Sequence, residues 1–141
     1  MAREARLTLE TVEGDGLRFR AQVDESPEFV LDSGPAMQGP DPMQAVLAAV
    51  AGCTAMDVIS ILRKQRQTVL GYEIVALGQR RETHPRAFTK IEVIHRLRGR
   101  GLSPAKVAEA IRLSETKYCS LHATLSPTVE LTSRFEIAPE S

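Results

Sequence analysis

The stretch PDPMQAVLAAVAGCTAMDVISILRKQR, Pro40 to Arg66, carries the reading of the fold. Asp41-Pro42 is a helix start: the aspartate caps, and proline at the first helical position has no N–H to leave unpaired. At the other end, RKQRQ sets positive charge against the negative end of the helix dipole. Between them Met43, Val46, Leu47, Val50, Thr54, Val58, Ile61 and Leu62 trace one broad face at intervals of three and four. Opposite lie Ala48, Ala51, Gly52 and Ala55. The spacing predicts a helix over 42–65 whose first half has no polar side, and such a helix is buried all round. Small side chains on its second face admit another backbone at close range. In a chain this short, that neighbour is a candidate second subunit.

Upstream the period changes to two. Leu17, Phe19, Ala21 and Val23 alternate with Arg18, Arg20 and Gln22, and Leu7, Leu9 and Thr11 alternate similarly. EGDG, Glu13 to Gly16, is a hairpin turn signal between them, and EFVLD supplies a third short strand. These N-terminal strands occupy 5–32. The loop SGPAMQGPDP follows, holding three of the eight prolines. Downstream a hairpin is predicted over 70–99, with Tyr72, Ile74 and Ala76 on one strand and Ile91 and Val93 on its partner. Its charged ends, QRRE and RLRGR, read as solvated strand tips. Ser103-Pro104 opens a second helix over 103–118, with Val107, Ala108, Ile111 and Leu113 inward and Cys119 at or just past its end. A closing strand over 128–137 alternates Val129, Leu131, Ser133, Phe135 and Ile137. The order β-β-β-α-β-β-α-β, connected by hairpins rather than crossovers, predicts an α+β fold with largely antiparallel sheets. No repeat or boundary divides residues 1–141, so one domain is expected.

Composition narrows the function. Eighteen basic residues balance eighteen acidic ones in 141 residues, which leaves no electrostatic footprint for nucleic acid or an anionic membrane. MAREARLTLE has no continuous apolar segment of the secretory kind. The longest uncharged apolar run, Met43 to Met56, has fourteen residues, too few to span a bilayer. A soluble, cytoplasmic protein is expected. Phosphate-loop, dinucleotide and HExxH patterns are absent from the sequence, and no serine stands in a nucleophile elbow. No cofactor is expected. The two cysteines, Cys53 and Cys119, form no CxxC pair, and CSLH, Cys119 to His122, is a weak metal signal on its own, so no metal is expected either. His84 reads as an exposed turn residue and His95 as a packed or rim histidine.

The residues alone leave Cys53 open between two readings. A free cysteine is among the most buried residue types and packs as a small hydrophobe. In a reducing compartment, however, a cysteine pair is more often transient or catalytic than a permanent staple. Asp57, one helical turn on, does not decide it: an anion raises a thiol pKa, so this aspartate is expected to pair with an arginine or cap a backbone group.

Three blocks resolve the ambiguity by resemblance. The Pro40–Arg66 stretch, GQRRETHPRAFTKIEVIHRLRG and AIRLSETKYCSLHATL together resemble the OsmC/Ohr superfamily (osmotically inducible protein C, organic hydroperoxide resistance), within it the YhfA-like branch. The resemblance covers Asp41 to Thr124. It implies an intertwined α+β homodimer with long central helices between sheets. It also implies thiol chemistry on small organic hydroperoxides in oxidative-stress defence. Cys53 matches the attacking cysteine and Cys119 the resolving one. The first becomes a sulfenic acid, the second condenses with it to a disulfide, and a dithiol reductant reopens the bond. The sequence departs from the peroxidase pattern at two places. Met43 follows Pro42 where a glutamate is usual, and Glu13-Gly14 stand where an arginine is usual. Arg18 and Arg20, expected on a strand, are the nearest arginines in sequence that could support Cys53. A redox sensor, or a module binding a hydrophobic small molecule, is the alternative that these departures allow.

Overall fold

The computed structural model describes residues 3–10 and 14–139. Thr11 and Glu13, the expected strand end and turn, lie outside the described residues. The chain divides into two compact units, Met1–Val46 and Leu47–Ser141.

In the first unit β1 (Ala5–Leu9), β2 (Arg18–Val23) and β3 (Phe29–Asp32) form a sheet in that order, antiparallel throughout. Ala21 is buried on β2, while Leu7, Leu9, Leu17 and Phe29 stay exposed. Asp32 closes the sheet onto the following loop. Its carboxylate accepts from the backbone N–H of Gly34 (2.9 Å) and of Gln38 (3.1 Å) and from Arg18 Nε (3.0 Å). The Gly34 N–H, then the Arg18 guanidinium, hold that carboxyl below the usual aspartate range.

Helix α1 runs Pro42–Lys64. It begins in a capping box: Asp41 Oδ1 accepts from Gln44 N–H (2.8 Å), and Gln44 Oε1 accepts from Asp41 N–H (2.9 Å). It ends in a Schellman turn, with Gln67 N–H donating to Leu62 O (2.9 Å), Arg66 N–H donating to Arg63 O (3.0 Å) and Arg66 at φ +59°. An arginine, not a glycine, takes the left-handed position. Because the helix continues through Asp57, the expectation drawn from the fourteen-residue uncharged run needs correction. At 23 residues, with a mean hydropathy of 2.1 over its best window, α1 is long and apolar enough to cross a membrane by length and composition alone. Only 22% of that window is buried within the chain. Val50, Thr54, Val58 and Leu62 are its buried face, and Met56 is 72% exposed.

In the second unit β4 (Thr68–Arg80) and β5 (Phe88–Arg100) pair antiparallel, and β6 (Glu130–Ile137) pairs parallel to β5. This parallel pair differs from the hairpin-only connectivity expected. The chain leaves β5 through α2 (Pro104–Leu113), a π-helical turn (Ser114–Tyr118) and α3 (Ser120–Leu125), a crossover long enough to return it in the same direction. The helical stretch expected over 103–118 changes from α to π at Ser114, and α3 is an element the periodicity did not reveal. Ser103 caps α2, accepting from Lys106 N–H at 3.3 Å. Val58 and Leu62 of α1, Leu97 of β5, and Val107, Ala110 and Ile111 of α2 form one buried cluster. Gly99 permits the close β4–β5 approach, since a Cβ there would stand 2.1 Å from Thr68 O.

Candidate functional site

Cys53 sits mid-way along α1, half-buried, one position before the inward-facing Thr54. Cys119 reaches it from the crossover. The π-helical turn, closed by Cys119 N–H donating to Ser114 O (2.7 Å), delivers Cys119 as the N-terminal cap of α3. There Cys119 is 4% exposed. Its thiol donates to Cys53 Sγ at 2.8 Å, and both cysteines are free. Its own sulfur accepts from His122 N–H (3.3 Å) and, weakly, from the Thr54 hydroxyl (3.9 Å). Burial first, then the Cys53 sulfur, pushes the Cys119 thiol pKa up; the two donors to its sulfur pull the other way. Cys53 thus stays partly exposed while Cys119, in contact with it, is buried.

Asp57 completes a triangle. One carboxylate oxygen and the two sulfurs all lie within 4.8 Å of one another. Asp57 Oδ2 accepts from the fully buried Ser114 hydroxyl at 2.9 Å. The expectation that Asp57 pairs with an arginine or caps a backbone group is not met: among the described residues its hydrogen bond is instead to a neutral side-chain hydroxyl. A groove of about 380 Å³ opens beside it, lined by Ser60, Ile61, Lys64, Gln65, Leu113 and Tyr118. Ser114 was missed from sequence. Its signal was a serine continuing the inward spacing of Val107, Ala110 and Ile111, and the π turn that aims it leaves no mark in the residue pattern.

Two cysteines and an aspartate are also possible metal ligands. Two thiolates on one tetrahedral zinc stand about 3.8 Å apart, from Zn–S bonds of about 2.3 Å, so a 2.8 Å sulfur separation fits direct sulfur chemistry better than chelation. His122 offers Cys119 its backbone N–H. His84 is exposed in the β4–β5 turn. His95 is fully buried on β5, its Nδ1 2.6 Å from the Tyr72 hydroxyl and its Nε2 without a partner among the described residues. Arg18 is committed inside the first unit to Asp32 and the Ala36 carbonyl, and Arg20 lies 3.8 Å from Glu10.

An α+β chain that brings a half-exposed and a buried cysteine into contact defines a class of dithiol proteins. The comparisons make it specific. Residues 34–134 match the OsmC-like protein family, and the chain belongs to that family. Protein YhfA of Escherichia coli K12 is 39% identical over 123 residues, 87% of this chain and 92% of YhfA. A hypothetical protein from Aquifex aeolicus superposes with a TM-score of 0.86 at 28% identity, over 100% of this chain and 99% of that one. The organic hydroperoxide resistance protein OhrB of Bacillus subtilis superposes at 0.63 and 14% identity, over 96% of this chain and 98% of that one, which is a likeness of fold.

Proposed function

We propose that this chain, as a single OsmC-like domain, is a cysteine-based hydroperoxide reductase with Cys53 attacking and Cys119 resolving. The observation that carries the reading is the 2.8 Å approach of a half-exposed sulfur and a buried one. The Cys53 thiolate attacks the distal peroxide oxygen: an S–O bond forms, the O–O bond breaks, and the alkoxide leaves as alcohol after taking a proton. Cys119, shielded from substrate, then condenses with the sulfenic acid to give a disulfide and water. A dithiol reductant restores both thiols by exchange. The substrate is a small organic hydroperoxide, because the α1 surroundings of Cys53 are alkyl side chains that reward an alkyl tail.

The working form is a homodimer in a reducing, cytoplasmic setting. The support is α1, whose mostly uncovered apolar window needs a cover. Asp57, bonded to Ser114 in mid-helix, favours a protein partner over lipid. The commitment of Arg18 to Asp32 also sustains a second reading, a redox sensor that oxidises once without turnover. Steady-state assays with cumene hydroperoxide, tert-butyl hydroperoxide and hydrogen peroxide, with a dithiol reductant, separate the two. Peroxidase activity requires turnover that prefers the organic peroxides, is lost in Cys53→Ser, and in Cys119→Ser gives way to Cys53 sulfinic acid. Stoichiometric oxidation without turnover favours the sensor. An unreactive Cys53 removes both.

A further inference from the structure

We propose that Asp57 is the proton relay of disulfide formation, taking the Cys119 thiol proton as that sulfur bonds to Cys53. The inference rests on the peroxidase reading only for the leaving group. With a sulfenic acid on Cys53, the Cys119 electron pair forms the S–S bond and the S–O bond breaks. The proton held by Asp57 passes to the departing hydroxide, and Cys53–SOH plus HS–Cys119 becomes the disulfide plus one water. No outside oxidant or reductant enters this step.

The geometry points to Asp57 in several ways. Its carboxylate lies within 4.8 Å of both sulfurs, the reach of a direct contact or one bridging water. The Ser114 hydroxyl, itself fully buried, fixes Oδ2 at 2.9 Å. At rest the Cys119 thiol donates to Cys53 Sγ, and the groups donating to its own sulfur, a backbone N–H and a threonine hydroxyl, are not bases. Burial keeps the Cys119 thiol protonated at neutral pH, so its attack needs a base. The groove beside Asp57 gives the proton a way to solvent. An anion next to a thiol is a poor activator in the resting protein, yet suited to accepting a proton while a bond forms.

The test reads Cys119 attack without any peroxide. Ellman's reagent, 5,5′-dithiobis(2-nitrobenzoic acid), first forms a mixed disulfide on the accessible Cys53. Cys119 then expels the second thionitrobenzoate, and Cys119→Ser identifies this phase by its loss. In the wild type the second phase varies little between pH 6 and 8. Asp57→Asn is expected to slow it at least tenfold at pH 6 and to make it rise about tenfold per pH unit, the signature of pre-formed thiolate. Asp57→Glu is expected to restore most of the rate, and Ser114→Ala to slow it less. Thermal melts verify folding, and if Asp57→Asn does not fold, Ser114→Ala and Asp57→Glu carry the same comparison of pH slopes. Unchanged rate and pH slope in the folded Asp57 and Ser114 variants overturn the proposal, as does loss of the second phase in His122→Ala with Asp57→Asn unaffected. A peroxide arm with dimedone trapping is expected to show sulfenic acid persisting in Asp57→Asn. Absence of sulfenic acid in Cys119→Ser, where nothing resolves it, with the wild-type Ellman phases behaving as expected, removes the peroxidase reading and leaves the relay standing.

Discussion

Acidification between pH 6.5 and 4.5 should destabilise this protein through one buried histidine. His95 is 0% exposed on β5, stacked against Tyr72 with ring centroids 5.9 Å apart. Its Nδ1 meets the Tyr72 hydroxyl, and its Nε2 has no partner among the described residues. Doubly protonated, the ring would carry an Nε2–H without an acceptor among them, and burial lowers the pKa from 6.5 to about 4. Above pH 6.5 the ring is neutral in both the folded and the unfolded chain, so the stability is fully present. Below 6.5 the unfolded chain takes up a proton that the folded chain refuses, and stability falls until the pH passes the folded pKa. A shift of roughly 2.5 units at about 1.36 kcal/mol per unit amounts to about 3 kcal/mol in all, most of it lost by pH 4.5. Urea unfolding at fixed ionic strength, at pH 7.5, 6.5, 5.5 and 4.5, measures it. The control is the double variant His95→Leu, Tyr72→Phe, which removes both polar partners together and so orphans neither. Its stability should stay nearly flat over the same range. Equal losses in the wild type and the double variant would refute the assignment to His95.

A second, separate acid loss belongs to Asp32. Its lowered pKa makes its stabilisation present above the ordinary value of 3.8 and lost as the pH falls below it, and Asp32→Asn should abolish this lower limb in acid titrations followed by circular dichroism. Gly99→Ala should cost about 3 kcal/mol in urea unfolding, because the new Cβ meets the Thr68 carbonyl, which as backbone cannot move aside. Arg66→Gly should add up to about 1 kcal/mol by relieving the left-handed φ at the end of α1, measured in the same assay. Gly52→Leu tests the dimer. Among the described residues nothing beyond its chain neighbours and its own helix backbone lies within 4 Å of a Cβ built there, so a monomer should keep its fold and its stability. If a second subunit covers this face, light scattering should show dissociation while the helical circular dichroism signal persists.

What the sequence determined was what depends on neighbours a few residues away. Asp41 and Gln44, three apart, cap one another whatever the rest of the chain does. The three-and-four spacing from Met43 to Leu62 makes a helix by the 3.6-residue repeat alone. Alternation at Leu17 to Val23 makes a strand on the same logic, and the paired cysteine blocks were specific enough to point to the family. What only the tertiary structure decided depends on residues far apart in the chain. The parallel pairing of β6 with β5 follows from where a helical crossover sets the chain down, and an alternating strand reads the same in either direction. The π turn at Ser114–Tyr118 depends on one extra residue between backbone partners, which no side-chain period records. Asp57 reads in sequence as a partner for an arginine or a cap for a backbone group, because an anion raises a thiol pKa and so is no obvious activator. Its actual partner, Ser114, stands 57 residues away, and only the folded packing of α1 against that turn could bring the hydroxyl to the carboxylate. His95 reads in sequence as either packed or at a rim, and only the fold decides between them. Its burial comes from the strand face it shares with Ile91, Val93 and Leu97, and that same burial sets its pKa.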